Sequence, residues 1–182
     1  MRVIAGVAKG HRLKALRGMK LRPTSDLVRG AIFAMLEAQN TDWTRVLDLY
    51  AGTGALGIEA LSRGAVEAHF VEKDAQCCAI IKENLEHTKL ADRAKVLCQE
   101  VSKALHILPG PYGVIFMDPP YADPDISRVV REIAASNLLR PGSTLVVEHS
   151  KRVELEMSVS SLVLVKCRRH GDTVISIYCV GG

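Results

Sequence analysis

The chain has five cysteines, an odd number, and none of them form a C-x-x-C pair. Neither a disulfide framework nor a zinc site is expected from that pattern. Cys77, Cys78, Cys98, Cys167 and Cys179 read instead as reduced thiols packed as small hydrophobes. No apolar run approaches the roughly 20 residues that span a bilayer. The opening Met1-Arg2-Val3-Ile4-Ala5-Gly6 lacks a signal-peptide core, so a soluble cytoplasmic protein is expected. The six histidines show no ligand spacing, no metal is expected, and they read as core or surface residues. Internal repeats and low-complexity tracts are also missing.

What remains is ordinary globular material. A chain of 182 residues fits one domain with a small appendage, and 48% hydrophobic and 24% charged residues allow a sizeable core. The net charge of +4 is unevenly spread: eight Lys and Arg against Asp26 give the first 30 residues +7, leaving −3 for the rest. A basic arm on a mildly acidic body suits a polyanionic partner met by one end of the molecule. Charge alone does not separate that from a solvated face.

Residues 2–6 and 11–16 are short alternating runs around Lys9-Gly10, and predict a small β-hairpin. Arg22-Pro23-Thr24-Ser25-Asp26 offers N-caps for a helix over 27–38, where Val28, Ile32, Met35 and Leu36 recur at helical spacing. Strands are then expected at 46–50, 68–72, 94–98, 114–117 and 144–148. Helices are expected at 58–63, 74–87, 102–108 and 126–136. A closing hairpin is expected at 161–166 and 173–180. The alternation implies an α/β fold with a mostly parallel sheet, helices on both faces and an antiparallel C-terminal hairpin. The division expected is residues 1–40 as a basic hairpin-and-helix extension and 41–182 as the catalytic domain.

Two stretches carry chemistry. The buried run Val114-Ile115-Phe116-Met117 ends in Asp118-Pro119-Pro120-Tyr121. Two prolines cannot continue a ladder, because each lacks an N–H and fixes φ. A carboxylate, a carbonyl and an aromatic ring are therefore held at the carboxyl end of a strand, where open α/β sheets bind ligands. The second stretch is Gly52-x-Gly54-x-x-Gly57 after the first main strand, with Glu72 twenty residues beyond Gly52. Glycines there let the backbone approach a ligand at a helix amino end. The pattern does not distinguish a nicotinamide dinucleotide from other adenosine ligands. Asp48, just ahead of the turn, would repel a pyrophosphate. S-adenosylmethionine, with its cationic head and a ribose for Glu72, fits better.

These motifs resemble the class I methyltransferases that modify exocyclic amino groups, and within them the RsmD-type 16S rRNA guanine-N2 methyltransferases. The likeness runs through Arg2-Val-Ile-Ala-Gly6, Arg22-Pro-Thr-Ser-Asp26, Asp48-Leu-Tyr-Ala-Gly-Thr-Gly-Ala-Leu-Gly57, Glu59-Ala-Leu-Ser-Arg-Gly64, Val71-Glu-Lys-Asp74 and Asp118-Pro-Pro-Tyr121. The resemblance implies a Rossmann-like class I methyltransferase fold with a seven-stranded sheet and S-adenosylmethionine as cofactor. Asp48, Tyr50, Ala51, Gly52, Thr53, Gly54 and Ala55 would line its methionine end. Glu72 and Lys73 would lie at the ribose, and Glu100 and Val101 at the adenine. Glu100 stands where the family more often has Asp or Asn, and Leu27 and Gly30 also depart from its pattern. Asp118, also beside the cofactor, would act with Pro119, Pro120 and Tyr121 on the target base.

The implied partner is rRNA in a small-subunit assembly particle, met by a monomer. Arg2, Lys9, Arg12, Lys14, Arg22, Thr24 and Arg29 are the expected RNA contacts. Other readings are a DNA adenine-N6 methyltransferase, a nicotinamide-dependent oxidoreductase and a non-catalytic RNA-binding module. The chain has no room for the sizeable target-recognition region usual in the first. The second leaves Asp118 to Tyr121 unexplained, and the third leaves the cofactor pocket unexplained.

Overall fold

The structure is a computed structural model and describes residues 1–16, 25–120 and 123–181. Helix α1 (Asp26–Glu37) starts where the Ser25 hydroxyl accepts the Val28 N–H, satisfying one of the open amides of the first turn. Strand β1 (Arg45–Leu49) leads to helix α2 (Ala55–Ser62), which begins three residues earlier than the apolar pattern predicts. Next come β2 (Glu67–Glu72), α3 (Ala75–His87) and β3 (Ala94–Cys98). They are followed by the short α4 (Val101–Ala104), β4 (Val114–Met117), α5 (Ile126–Ala134) and β5 (Thr144–Ser150). The end of the chain forms β6 (Ser158–Val159), β7 (Leu162–His170) and β8 (Thr173–Val180).

The sheet has eight strands in the order β3-β2-β1-β4-β5-β8-β7-β6. The expected seven are joined by β6, whose two residues are too short to leave a periodic signal. β1 to β5 run parallel, while β8 is antiparallel to β5 and β7 to β8. This is the Rossmann-like class I arrangement. Chain order reverses between β1 and β4, which opens a crevice at their carboxyl ends.

Alternation along the strands sorts the core into two layers. Val114 and Phe116 of β4 face a layer with Ile32 and Phe33 of α1, Leu61 of α2 and Ile81 of α3. Ile115 and Met117 face Ala104 of α4 and Val129 and Ile133 of α5. Val3, Ala8 and Leu13 join the first layer, so the amino-terminal arm shares the core of the sheet.

The predicted hairpin at 2–16 forms around an antiparallel bridge from Arg2 to Arg12, and the Val3, Gly10 and Leu13 amides donate to the His11, Val3 and Met1 carbonyls at 3.0, 2.9 and 3.1 Å. The hairpin is docked on α2. The Glu59 carboxylate accepts the Ile4 and Ala5 amides at 2.8 and 3.0 Å, and Ser62 takes those of Ala8 and Val7. Gly6, at φ +80°, permits the approach, because a Cβ there would lie 1.8 Å from the Ser62 carbonyl oxygen. Among the described residues no helix is long and apolar enough to cross a membrane, and no cluster of side chains is suited to hold a metal ion.

Candidate active site

A cleft of about 530 Å³ opens at the carboxyl ends of β1, β2 and β4. Asp48, from β1, is buried at its floor, and its Oδ2 accepts the Gly57 N–H at 2.8 Å. Burial pushes its carboxyl well above the usual range, and the neighbouring charges of Asp118 and Glu72 push the same way. The chain then turns sharply. Tyr50 has φ 59°, a left-handed conformation uncommon outside glycine, and burial raises its phenol to about 12. The Gly52 N–H donates to Glu72 Oε2 at 2.9 Å, and the other oxygen of Glu72 accepts the Asp74 N–H at 2.9 Å. Glu72 thereby ties the glycine turn to the start of α3.

Three carboxylates around one cleft repel one another in the free protein. A ligand with a positively charged head relieves that repulsion, whereas a pyrophosphate adds to it. The acidic lining therefore fits a ligand with a cationic head, such as the sulfonium of S-adenosylmethionine, better than a pyrophosphate.

Most of the predicted cofactor residues line this cleft: Asp48, Tyr50, Ala51, Gly52, Thr53 and Ala55 on one side, and Glu72, Lys73, Glu100 and Val101 on the other. Gly54 does not. At φ 78° it shapes the turn, and a Cβ on it would press on Ile81 and Ile58 at 3.2–3.3 Å. Asp118, Pro119 and Pro120 close the rim after β4. Tyr121, Arg22 and Thr24 lie outside the described residues.

Several lining residues carry no signal in the sequence. Glu148 and His149 of β5 and Thr173 of β8 arrive together because Ser150 pairs with Thr173 across antiparallel strands. His149 bonds Ser176 and the Ser150 carbonyl, both at 2.9 Å, and burial lowers its pKa. Met1 reaches the cleft from the arm, its sulfur 4.0 Å from the Thr53 hydroxyl. The buried amide of Asn84 fixes that approach. It donates to the Thr53 and Lys14 carbonyls at 3.0 and 3.1 Å and accepts the Lys14 N–H at 2.7 Å.

Of the predicted RNA contacts, Arg2, Lys9 and Arg12 are exposed, and Lys14 is exposed but paired with Glu83 at 2.6 Å. Arg29 must be reassigned. Its side chain is fully buried, 3.8 Å from Glu59 and 3.1 Å from Asp26, and it donates to the Arg2 carbonyl. A guanidinium with no accessible surface cannot meet a phosphate; Arg29 fastens α1 to α2 and the arm.

Asp48 yields a prediction with a definite sign. Its folded-state pKa is raised, so the protonated carboxyl favours the fold at acid pH, and that contribution is lost as pH rises through the folded value. Asp48→Asn never ionises and can still accept the Gly57 N–H. The variant is expected to gain about 0.5–2 kcal/mol of stability at pH 8, as is common where a site trades stability for activity. Near pH 3 it should gain nothing. Thermal melts at the two pH values check this; equal melting points at pH 8 would contradict it.

The chain matches the model of the family described as conserved hypothetical protein 95 over residues 1–179. It is 38% identical to YlbH of Bacillus subtilis, a protein named provisionally as an rRNA methyltransferase, covering 98% of each chain. It is 33% identical to ribosomal RNA small subunit methyltransferase D of Haemophilus influenzae, over 83% of this chain and 79% of that one. Among solved structures, an Escherichia coli protein, yhhF, described provisionally as a methyltransferase, superposes with a TM-score of 0.84. It is 29% identical and covers 100% of this chain and 98% of its own.

Proposed function

The chain belongs to the conserved hypothetical protein 95 family, the family of the RsmD-type rRNA methyltransferases, and on that premise we propose that it methylates the exocyclic N2 amino group of a guanine in small-subunit rRNA. The observation that carries the reading is the convergence of Asp48, Glu72 and Asp118 on one cleft beside the Pro119-Pro120 turn. S-adenosylmethionine, when bound, supplies an activated methyl group on a sulfonium.

The chain's own residues do the rest. Glu72 holds the ribose hydroxyls while fixing the glycine turn. Asp48 and the turn from Tyr50 to Ala55 receive the methionine end, and Glu100 and Val101 flank the adenine. A guanine amino nitrogen is a poor nucleophile, because its lone pair is delocalised into the ring. Asp118 and the Pro119 carbonyl accept its two N–H hydrogens, which favours a pyramidal nitrogen with its lone pair aimed into the cleft. This is positioning together with electrostatic stabilisation of developing positive charge. Tyr121 stacks on the base, which leaves its own stack to enter. Arg2, Lys9, Arg12 and Lys14 of the arm, with Arg22 and Thr24, hold the RNA backbone, where each phosphate contact adds to the salt dependence of binding.

Calorimetry of the purified protein tests the cofactor half of the proposal. Binding of S-adenosylmethionine and of its demethylated product is expected, each weakened in Asp48→Asn. Binding of NAD with no binding of either sulfur compound would overturn it.

A further inference from the structure

Strand β7 carries a basic run that neither the core nor the cleft uses. Its residues from 165 to 169 are exposed, and no acidic residue interrupts positions 162–171. Several exposed cations elsewhere are paired with a carboxylate: Lys14 with Glu83, Lys103 with Glu100, Arg128 with Asp125, Arg131 with Glu156. Among the described residues, Lys166 and Arg168 have no carboxylate within ion-pair reach. The outer edge is open as well, since β6 pairs only with Leu162 and Val163.

The position of this run gives it a use. His170 pairs with Thr173 and Thr173 with Ser150, so β7 ends at the rim of the cleft that Thr173 and His149 line. Lys166 and Arg168 lie opposite Ile177 and Ile175 and share their face of the sheet. Those isoleucines belong to the layer that also holds Phe33 of α1 and Val3 of the arm. The arm is bonded to α2 and α3, which pack on β1 to β3, whereas β7 lies three strands beyond β4. The two basic regions thus flank the cleft on one face of the sheet.

We propose that Lys166 and Arg168 form a second phosphate-contact surface for rRNA, on the opposite flank of the cleft from the arm. The proposal rests on the rRNA reading above. RNA held on both flanks presents its target base between them, over the Asp118 rim. The competing explanation is that cations on an open strand edge only deter pairing with another chain.

Binding of a labelled small-subunit rRNA transcript, measured against salt concentration, separates the two. Lys166→Gln with Arg168→Gln is expected to lower the slope of log affinity against log salt by about 1.4, at about 0.7 per single-strand phosphate, and to weaken binding roughly 25-fold at 0.1 M salt. Lys166→Glu with Arg168→Glu should weaken it further. Affinity for S-adenosylhomocysteine should stay at the wild-type value in both, which also reports an intact fold. Glutamates guard a strand edge as well as lysines do, so a Glu pair that binds RNA like the wild type, with an unchanged slope, overturns the proposal. If the wild-type protein itself neither binds rRNA nor transfers methyl to it, the functional reading fails first. If the wild type binds and only the β7 variants behave like it, this proposal fails alone.

Discussion

Asp118→Asn is expected to lower methyl-transfer turnover about 10- to 150-fold while cofactor affinity changes much less. The substitution keeps size and shape, and the backbone of the site should hold, because β4 is buried on both faces and pairs with β1 and β5. What it removes is the charge facing the target nitrogen, and it can present an N–H₂ where an acceptor is needed. A hydrogen bond to a charged partner contributes roughly 1.5–3 kcal/mol, and it strengthens as the nitrogen becomes positive, so the loss falls on turnover. Asp118→Ala should be at least as damaging, and Tyr121→Ala should mainly weaken base binding. Single-turnover rates on saturating rRNA, alongside S-adenosylhomocysteine affinity, check the split. An Asn enzyme with normal turnover would remove Asp118 from the chemistry.

The second large effect lies away from the cleft. Glu59 is fully buried and accepts from the Ile4 and Ala5 amides and from Arg63 Nε at 2.8 Å, with Arg29 Nε at 3.8 Å. Glu59→Ala leaves two amides without their acceptor and leaves the buried Arg29 guanidinium with Asp26 and the Arg2 carbonyl but no buried counter-charge. Breaking a buried ion pair by removing one partner costs about 3–5 kcal/mol. At roughly 2–4 °C per kcal/mol for a chain of this length, the melting temperature should fall by about 6–20 °C. Adding Arg29→Met should recover part of the loss, because a buried charge paired with the half-exposed Asp26 alone goes with it. RNA binding should suffer as well, since Glu59 and Ser62 are what hold the arm to α2. A fall below about 2 °C would mean that the network contributes as little as an exposed pair.

The sequence made some of this legible, and the reasons are local. Val114 to Met117 reads as a strand because a buried parallel strand is a continuous apolar run, and Pro119-Pro120 marks where it stops. Asp48, Gly52 and Glu72 could be grouped because strand–turn–helix units keep a fixed spacing. Arg29 could not be read correctly. Its partner Glu59 lies thirty positions away on another helix, and a basic residue in a basic arm looks exposed until that helix is packed. Gly54 fits the glycine pattern, but whether it faces a ligand or Ile81 depends on how α3 docks. Glu148, His149 and Thr173 reach the cleft only through the antiparallel register of β5 and β8, which no local pattern encodes.

The central claim, methyl transfer to a guanine amino group of small-subunit rRNA, is tested most directly by the product. Purified protein, labelled S-adenosylmethionine and small-subunit rRNA or immature small subunits would be incubated, and the RNA digested for nucleoside analysis. The predicted result is label in N2-methylguanosine, lost in parallel with turnover in Asp118→Asn. Label in N6-methyladenosine, or none in rRNA from a protein that binds the cofactor, would contradict the account.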